Sequence, residues 1–155
     1  MPPFRAPFAF LCVALAACLG TPARAEPLDH NPVTFKCASM QKALLAAKAF
    51  AKATRGSLIL TSGTASMEPL IHGQVYVVLE KIPYEAITYK DILAYDGRLN
   101  ADSPLQQTLL HRTVGRDRFG WLMSGDSNRW SESWDRVTPA NYLGRAVALF
   151  EFPQA

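Results

Sequence analysis

Ser66 lies in a run of small residues between positions 62 and 69, which could present its hydroxyl on a sharp turn. An unassisted serine hydroxyl is a weak nucleophile, so acyl-transfer chemistry needs a general base within hydrogen-bonding distance. The chain contains three histidines, and a histidine side chain ordinarily changes charge near neutral pH, which suits it to accept a serine proton. A serine in such a turn can also act only as a cap or turn residue. The surrounding pattern must therefore decide between the two roles.

Five segments continue this pattern in order along the chain. They are residues 66–69, 73–78, 90–95, 109–115 and 125–128. Ser66-Met67-Glu68-Pro69 and the later Gly125-Asp126-Ser127-Asn128 are the most specific of them. Together they resemble the conserved boxes of signal peptidase I and its serine-peptidase relatives. Gln74 departs from the family, which usually carries Asp at that position. The resemblance implies that Ser66 is the nucleophile of a serine endopeptidase.

The same resemblance assigns the role of general base to His111. Bacterial signal peptidases usually carry Lys at this position, whereas the endoplasmic-reticulum and archaeal types carry His. A lysine base requires deep burial to lower its pKa, which a histidine does not. Leu109 and Thr113 would share one strand face with His111, and a half-buried histidine with only a structural role is the alternative. His30 and His72 lack such a context and are predicted to be surface residues.

Two aspartates are candidates for the acid that orients the imidazole. In histidine-type members of the family an acid near the closing box has this role, as in other serine hydrolases. Asp135, immediately before Arg136, matches that position best. Asp126 is the second candidate, and its alternative role is to hold a turn through side-chain to backbone hydrogen bonds. Spacing along the chain does not separate them, and Asp135 is favoured.

The resemblance also implies donors for the oxyanion and a substrate groove. The backbone N–H of Ser66 is the first expected donor, and the Thr64 hydroxyl is the second. Met67 and Pro69 are expected to shape the substrate groove. No metal or organic cofactor is implied.

The elements that position these residues are predicted to be one helix followed by short strands. Residues 38–55 contain helix-forming residues without Pro or Gly until Gly56. The predicted strands are residues 57–61, 74–80, 91–95, 108–114, 121–124 and 143–150. Strands of this length and spacing predict a mainly β fold, a compact antiparallel β-barrel or coiled sheet. The resemblance implies the signal peptidase type of this fold over residues 38–155.

The first 25 residues have the pattern of a secretory signal peptide. Arg5 precedes an apolar run, and Ala23-Arg24-Ala25 is a small-residue cleavage site. Two alternatives stay open: a lipoprotein signal over residues 1–17 with a lipid on Cys18, and an uncleaved N-terminal anchor. All three place the body outside the cytoplasm, in the periplasm or tethered to a membrane. Residues 26–37 are predicted to be a flexible lead-in.

Net charge bears on binding to nucleic acid, and cysteine content bears on disulfide bonds. Cleavage after Ala25 would remove Arg5 and Arg24 and no acid, which lowers the formal net charge from +3 to +1. Such a balance gives little attraction to nucleic acid, so no nucleic-acid partner is expected. Of the three cysteines only Cys37 would stay in the mature body, so no intramolecular disulfide is expected there.

These features together predict a serine endopeptidase that cleaves exported protein precursors. By resemblance, its partner would be an extended peptide segment with small residues before the cleaved bond. One alternative is a dedicated maturation protease for a pilus or conjugation protein. Another is a non-catalytic module on the same fold that binds an extended peptide by strand addition.

Overall fold

The computed structural model describes residues 30–129, 131 and 134–154. The predicted signal peptide and the alternative lipid site at Cys18 lie outside the described residues. The elements in chain order are β1 (Val33–Lys36), α1 (Met40–Thr54), β2 (Ser57–Leu60), β3 (Val75–Glu80), β4 (Ile92–Arg98), β5 (Gln106–Asp117), β6 (Gly120–Ser124) and β7 (Tyr142–Glu151). The helix and all six predicted strands are present, with ends within three residues of the predicted ones.

Seven strands form one sheet that is mainly antiparallel. The strand order is β2-β3-β7-β4-β5-β6, and β1 pairs with β7 in parallel. Three strands separate β2 from β5, yet residues of both line the same cleft, so the sheet coils strongly. It does not close, because β2 and β6 form its two ends rather than a pair. Of the two predicted forms, the open coiled sheet is therefore the correct one.

The helix α1 packs on the sheet through alanines spaced four residues apart. Ala43, Ala47 and Ala51 are buried, while Met40 at the start of the helix is exposed. Small side chains on this stripe let the helix approach β3 and β7 closely. The Ser39 hydroxyl accepts a hydrogen bond from the Lys42 backbone N–H at 3.3 Å and caps the first turn. The helix thus covers one face of the sheet at β3 and β7.

The predicted flexible lead-in is corrected by the structure, because its second half is a strand. Residues 33–36 pair with β7, with Val33 opposite Ala148. The Cys37 backbone N–H continues this pairing with a hydrogen bond to the Glu151 carbonyl at 2.8 Å. The Phe35 ring stacks on Phe150 with 4.8 Å between centroids. Local composition shows no strand here because this short strand is stabilised by a partner more than 100 residues away.

Three hydrophobic clusters make up the core. One lies under α1 and includes Tyr76 and Phe150. A second includes Met67 and Ile71 from the segment after Ser66, together with residues of β3. The third contains Tyr95 and the apolar residues around it on β4, β5 and β6. The candidate site lies where the second and third clusters meet, since residues of both line the same cleft.

Candidate active site

Ser66 lies in a short 3-10 turn, Ala65–Met67, on the segment between β2 and β3. Gly63 precedes the turn with a φ of +79°, a backbone conformation that favours glycine. Met67 follows Ser66 and is 3% exposed, packed in the core cluster with Ile71. Burial of Met67 anchors the turn and leaves the neighbouring Ser66 half-buried at the surface of the cleft. Met67 therefore both holds the turn and lines the cleft, whereas Pro69 is exposed and does not line it.

His111 lies on β5 and meets Ser66 across the fold. The His111 Nε2 atom lies 3.2 Å from the Ser66 Oγ atom, although 45 residues separate them in the sequence. The imidazole is 6% exposed. This distance and burial suit proton transfer from the serine hydroxyl to the ring. The structure thus brings together the predicted nucleophile and the predicted base.

Thr64 lies on the other side of the serine hydroxyl. Its Oγ1 atom is 3.3 Å from Ser66 Oγ, and either oxygen can be the donor. Thr64 is exposed and lines the same cleft. The structure therefore places Thr64 beside the reacting oxygen, close enough to donate to an oxyanion formed next to it.

The loop after β6, residues 125–128, holds the serine turn in place. The Ser127 backbone N–H donates to the Ser66 carbonyl at 3.0 Å, and the Ser127 hydroxyl donates to the Ala65 carbonyl at 2.7 Å. A Cβ atom on residue 125 would lie 2.4 Å from the Ser66 carbonyl oxygen, so only glycine allows this approach. Gly125 and Ser127 are thus functional-site residues whose positioning role was not predicted from the sequence.

Asp126 belongs to the same loop but faces away from the imidazole. Its carboxylate forms a two-point ion pair with Arg112, with both N–O distances 2.7 Å. Arg112 follows His111 on β5, and neighbouring strand residues point to opposite sides of the sheet. Arg112 also donates to the Asn31 side chain at 2.8 Å. Asp126 therefore anchors the loop to the back of the strand that carries His111.

Asp135, the favoured candidate for the orienting acid, has its described hydrogen bond at a different place from the imidazole. Its carboxylate accepts a hydrogen bond of 2.7 Å from the Arg98 backbone N–H, at the end of β4. His111 pairs with Leu93, five residues earlier on that strand. Among the described contacts the Asp135 carboxylate accepts from the Arg98 backbone N–H and has no hydrogen bond with His111, so the structure does not bring this predicted acid to the imidazole. Asp135 instead ties the segment before Val137 to the end of β4.

The structure places a tyrosine hydroxyl next to the second nitrogen of His111. The Tyr95 hydroxyl lies 3.2 Å from His111 Nδ1, and Tyr95 is fully buried. Tyr95 pairs with Leu109 in the register of β4 and β5, which makes it a diagonal neighbour of His111 on the same face. The sequence signal that could have found it is a tyrosine directly after the apolar run Ile92-Leu93-Ala94, since a buried tyrosine hydroxyl usually has a hydrogen-bond partner.

The other two histidines lie away from the serine. His72 is exposed and its Nδ1 atom is 3.5 Å from Glu68, in agreement with the predicted surface position. His30 is also exposed, but its Nδ1 atom contacts the buried Asp91 carboxylate at 3.0 Å. The Asp91 carboxylate also accepts hydrogen bonds from the backbone and side chain of Thr88. His30 therefore fastens the start of the described chain to the sheet.

Ser66 and His111 line one cleft of about 830 Å³. One wall consists of the end of β2 and the segment that follows it, residues 59–62. The opposite wall consists of residues 107–111 of β5, with Leu99 and Trp134 at its far side. A cleft with apolar side chains in both walls suits a peptide with small or apolar residues.

The described residues contain no group of three or more His, Cys, Asp or Glu side chains that could hold a metal ion. No helix in the described part of the chain is long and apolar enough to cross a membrane.

Comparisons with protein families, with curated proteins and with solved structures gave no match for this chain.

Proposed function

We propose that this protein is a serine endopeptidase of the histidine-type, signal peptidase I-like class. The observation that carries the proposal is the 3.2 Å contact between Ser66 Oγ and His111 Nε2 inside a cleft. Acyl transfer requires a nucleophile in contact with a base, inside an opening that can hold a peptide. Ser66 and His111 lie on separate elements and meet in such an opening. Exported protein precursors are its proposed substrates, in line with the leader pattern of the chain.

The reaction begins when His111 removes the proton of Ser66 as its oxygen attacks a peptide carbonyl. The oxyanion that forms accepts hydrogen bonds from the Ser66 backbone N–H and from the Thr64 hydroxyl. The imidazolium then protonates the leaving amine, which gives an acyl-enzyme on Ser66. Water, deprotonated by the same imidazole, hydrolyses the ester and restores the serine.

An extended peptide can bind along the outer edge of β2. This strand ends the sheet, so its outer backbone groups have no strand partner among the described residues. Leu60, Thr61 and Ser62 run along this edge beside the cleft towards the serine turn. Backbone hydrogen bonds to such an edge hold a peptide in the extended conformation that attack on its carbonyl requires. The preference for small residues before the cleaved bond rests on the family resemblance.

Labelling with a serine-directed phosphonate probe tests the proposal. We expect a single adduct on Ser66, and we expect Ser66→Ala to lose both the adduct and peptide cleavage. The free energy of unfolding of that variant should change by no more than about 1 kcal/mol, because only a hydroxyl is removed from a half-buried turn. Ser57→Ala is the matched control, since Ser57 is an exposed serine at the far end of β2.

Two results would contradict the proposal that Ser66 is the nucleophile of an endopeptidase. Cleavage retained by purified Ser66→Ala would assign the nucleophile elsewhere. Peptide binding to the wild-type cleft without any adduct on Ser66 would favour the non-catalytic peptide-binding module. A dedicated maturation protease would give the adduct but cleave only its own pilus or conjugation substrate.

A further inference from the structure

Three contacts of the described residues connect Thr64, Ser66, His111 and Tyr95 in a line. Thr64 Oγ1 lies 3.3 Å from Ser66 Oγ, which lies 3.2 Å from His111 Nε2. On the far side of the ring, His111 Nδ1 lies 3.2 Å from the Tyr95 hydroxyl. Each hydroxyl in this line can donate or accept, whereas a neutral imidazole donates from one nitrogen and accepts at the other. The tautomer of the ring therefore determines the direction of the hydrogen bonds that the ring makes with Ser66 and Tyr95.

Only one of the two directions allows His111 to act as a base. If Nδ1 carries the proton and donates to Tyr95, Nε2 is free to accept the Ser66 proton. If Tyr95 donates to Nδ1 instead, Nε2 carries the proton and blocks the transfer. Which nitrogen of a neutral imidazole is protonated is set by the hydrogen bond that the other nitrogen makes.

We propose that Tyr95 is a positioning residue, whose hydroxyl oxygen accepts the Nδ1 proton of His111 and so keeps Nε2 free to receive the proton of Ser66. The proposal rests on the proposed function. It assigns to a neutral phenol the orienting role that an aspartate has in other serine hydrolases. When the imidazolium forms, its Nδ1–H already has an acceptor, so no polar group has to move.

The surroundings of Tyr95 fix its hydroxyl in this place. The residue is fully buried among Leu93, Leu109 and Met123. A Cβ atom on residue 97 would lie 2.8 Å from Cε2 of the Tyr95 ring, so the ring occupies the space that Gly97 leaves open. Gly97 lies two residues after Tyr95 on the same face of β4. The absence of a side chain at Gly97 thus leaves room for the observed position of the Tyr95 ring.

The tautomer of His111 in the full-length protein is the direct test. Nitrogen-15 NMR of the histidine side chains distinguishes the two tautomers, and His111→Gln identifies the signal among the three histidines. We expect the Nδ1–H tautomer in the wild type. We expect Tyr95→Phe to move the population towards Nε2–H, because the acceptor of the Nδ1 proton is gone. Observation of the Nε2–H tautomer in the wild type overturns the proposal without any variant.

The steady-state parameters kcat and KM of two variants provide a second test. We expect Tyr95→Phe to lower kcat by about 10-fold to 100-fold with KM nearly unchanged, because the hydrogen bond matters most to the imidazolium in the transition state. Gly97→Ala retains the Tyr95 hydroxyl but displaces the ring, so it should also lower kcat and leave KM nearly unchanged. Wild-type kcat and tautomer in both variants would overturn the proposal.

Tyr84→Phe is the matched control. It removes a tyrosine hydroxyl from the same hydrophobic cluster, but that hydroxyl donates to the Val137 carbonyl at 2.8 Å and not to the imidazole. We expect Tyr84→Phe to leave the His111 tautomer and kcat at wild-type values. A tautomer shift as large as that of Tyr95→Phe would mean that general loosening of the cluster is responsible, which also overturns the proposal.

The two proposals can fail separately. If the wild type forms the phosphonate adduct on Ser66 but Tyr95→Phe changes neither tautomer nor kcat, the endopeptidase stands and the role of Tyr95 falls. If Ser66 forms no adduct while Tyr95→Phe still shifts the tautomer, the hydrogen-bond assignment stands and the proposed function falls.

Discussion

At the scale of single residues, the site is a serine and a histidine with partners on both sides. Thr64 lies next to the serine oxygen, and Tyr95 lies next to the second nitrogen of the histidine. Asp126 and Asp135, the two predicted acids, instead contact Arg112 and the Arg98 backbone. Among the described contacts, the partner of the His111 nitrogen that faces away from Ser66 is the Tyr95 hydroxyl.

The pH dependence of cleavage tests His111 as the base. The neutral imidazole accepts the Ser66 proton and the imidazolium cannot, so we expect kcat/KM to fall as the pH is lowered and the ring becomes protonated. His111→Ala should lose about 10³-fold or more in kcat and should not recover at alkaline pH. Steady-state rates across pH for both proteins check this. If the variant keeps the wild-type acid limb, another group is the base.

At the scale of elements, the loop after β6 determines where the serine turn lies. Gly125→Ala would push a methyl group against the Ser66 carbonyl, where a Cβ atom has only 2.4 Å. The clash is with backbone, so the turn itself must move, and a shift of about 1 Å at a nucleophile can cost about 100-fold in rate. We expect a loss of this order in kcat, measured on a peptide substrate.

Gly115→Ala provides the control for the loop. Its added methyl would meet a side-chain atom of Leu122 at 3.2 Å, which can adjust by rotation. We expect this variant to keep nearly full activity. Equal losses in Gly125→Ala and Gly115→Ala would show that sheet stability, rather than the position of the turn, limits the rate.

The β5–β6 hairpin has a carboxylate whose pKa lies below its usual range. The Phe119 backbone N–H contributes most to lowering the pKa of Asp117, and the Arg136 guanidinium and the Gly120 N–H add to it. Because the folded pKa is below the unfolded one, this group stabilises the fold above its unfolded pKa and ceases to do so as the pH falls through the folded pKa.

The pH dependence of thermal unfolding checks the contribution of Asp117. We expect the Tm of the wild type to exceed that of Asp117→Asn at neutral pH. The difference between the two Tm values should shrink under acidic conditions. A difference between the two proteins that is constant across pH would contradict the assignment, because it would not follow the ionisation of the carboxyl.

At the scale of the whole molecule, β1 links the start of the described chain to its last strand. Phe35 stacks on Phe150 and contacts Phe50 of α1, so removal of its ring opens a gap between strand, helix and sheet. We expect Phe35→Ala to lower the free energy of unfolding by about 2 kcal/mol, since the ring is only partly buried. Chemical denaturation measures the change.

Val33→Ala is the companion variant for this strand. Val33 is 37% exposed, so its truncation should cost clearly less than that of Phe35. If both variants unfold like the wild type, residues 33–36 do not contribute to the folded core and the original prediction of a flexible lead-in is restored.

The sequence by itself was sufficient to predict the elements that depend on local physical chemistry. Helix-forming residues up to Gly56 predicted α1, and alternating or β-branched runs predicted six strands, because these patterns are set by nearest neighbours. Residue types and order also singled out Ser66 and His111, which the structure places 3.2 Å apart. Their catalytic roles stay a proposal.

Only the tertiary structure determined which residues of the chain contact each other, because strand register and sheet coiling are long-range properties. Register places Tyr95 beside His111 and puts Asp135 at the other end of β4, a difference that spacing along the chain does not encode. The strand at Val33–Lys36 depends on β7 for its hydrogen bonds, so its own composition could not reveal it. Likewise, the need for Gly125 arises only where two loops distant in sequence approach within contact distance.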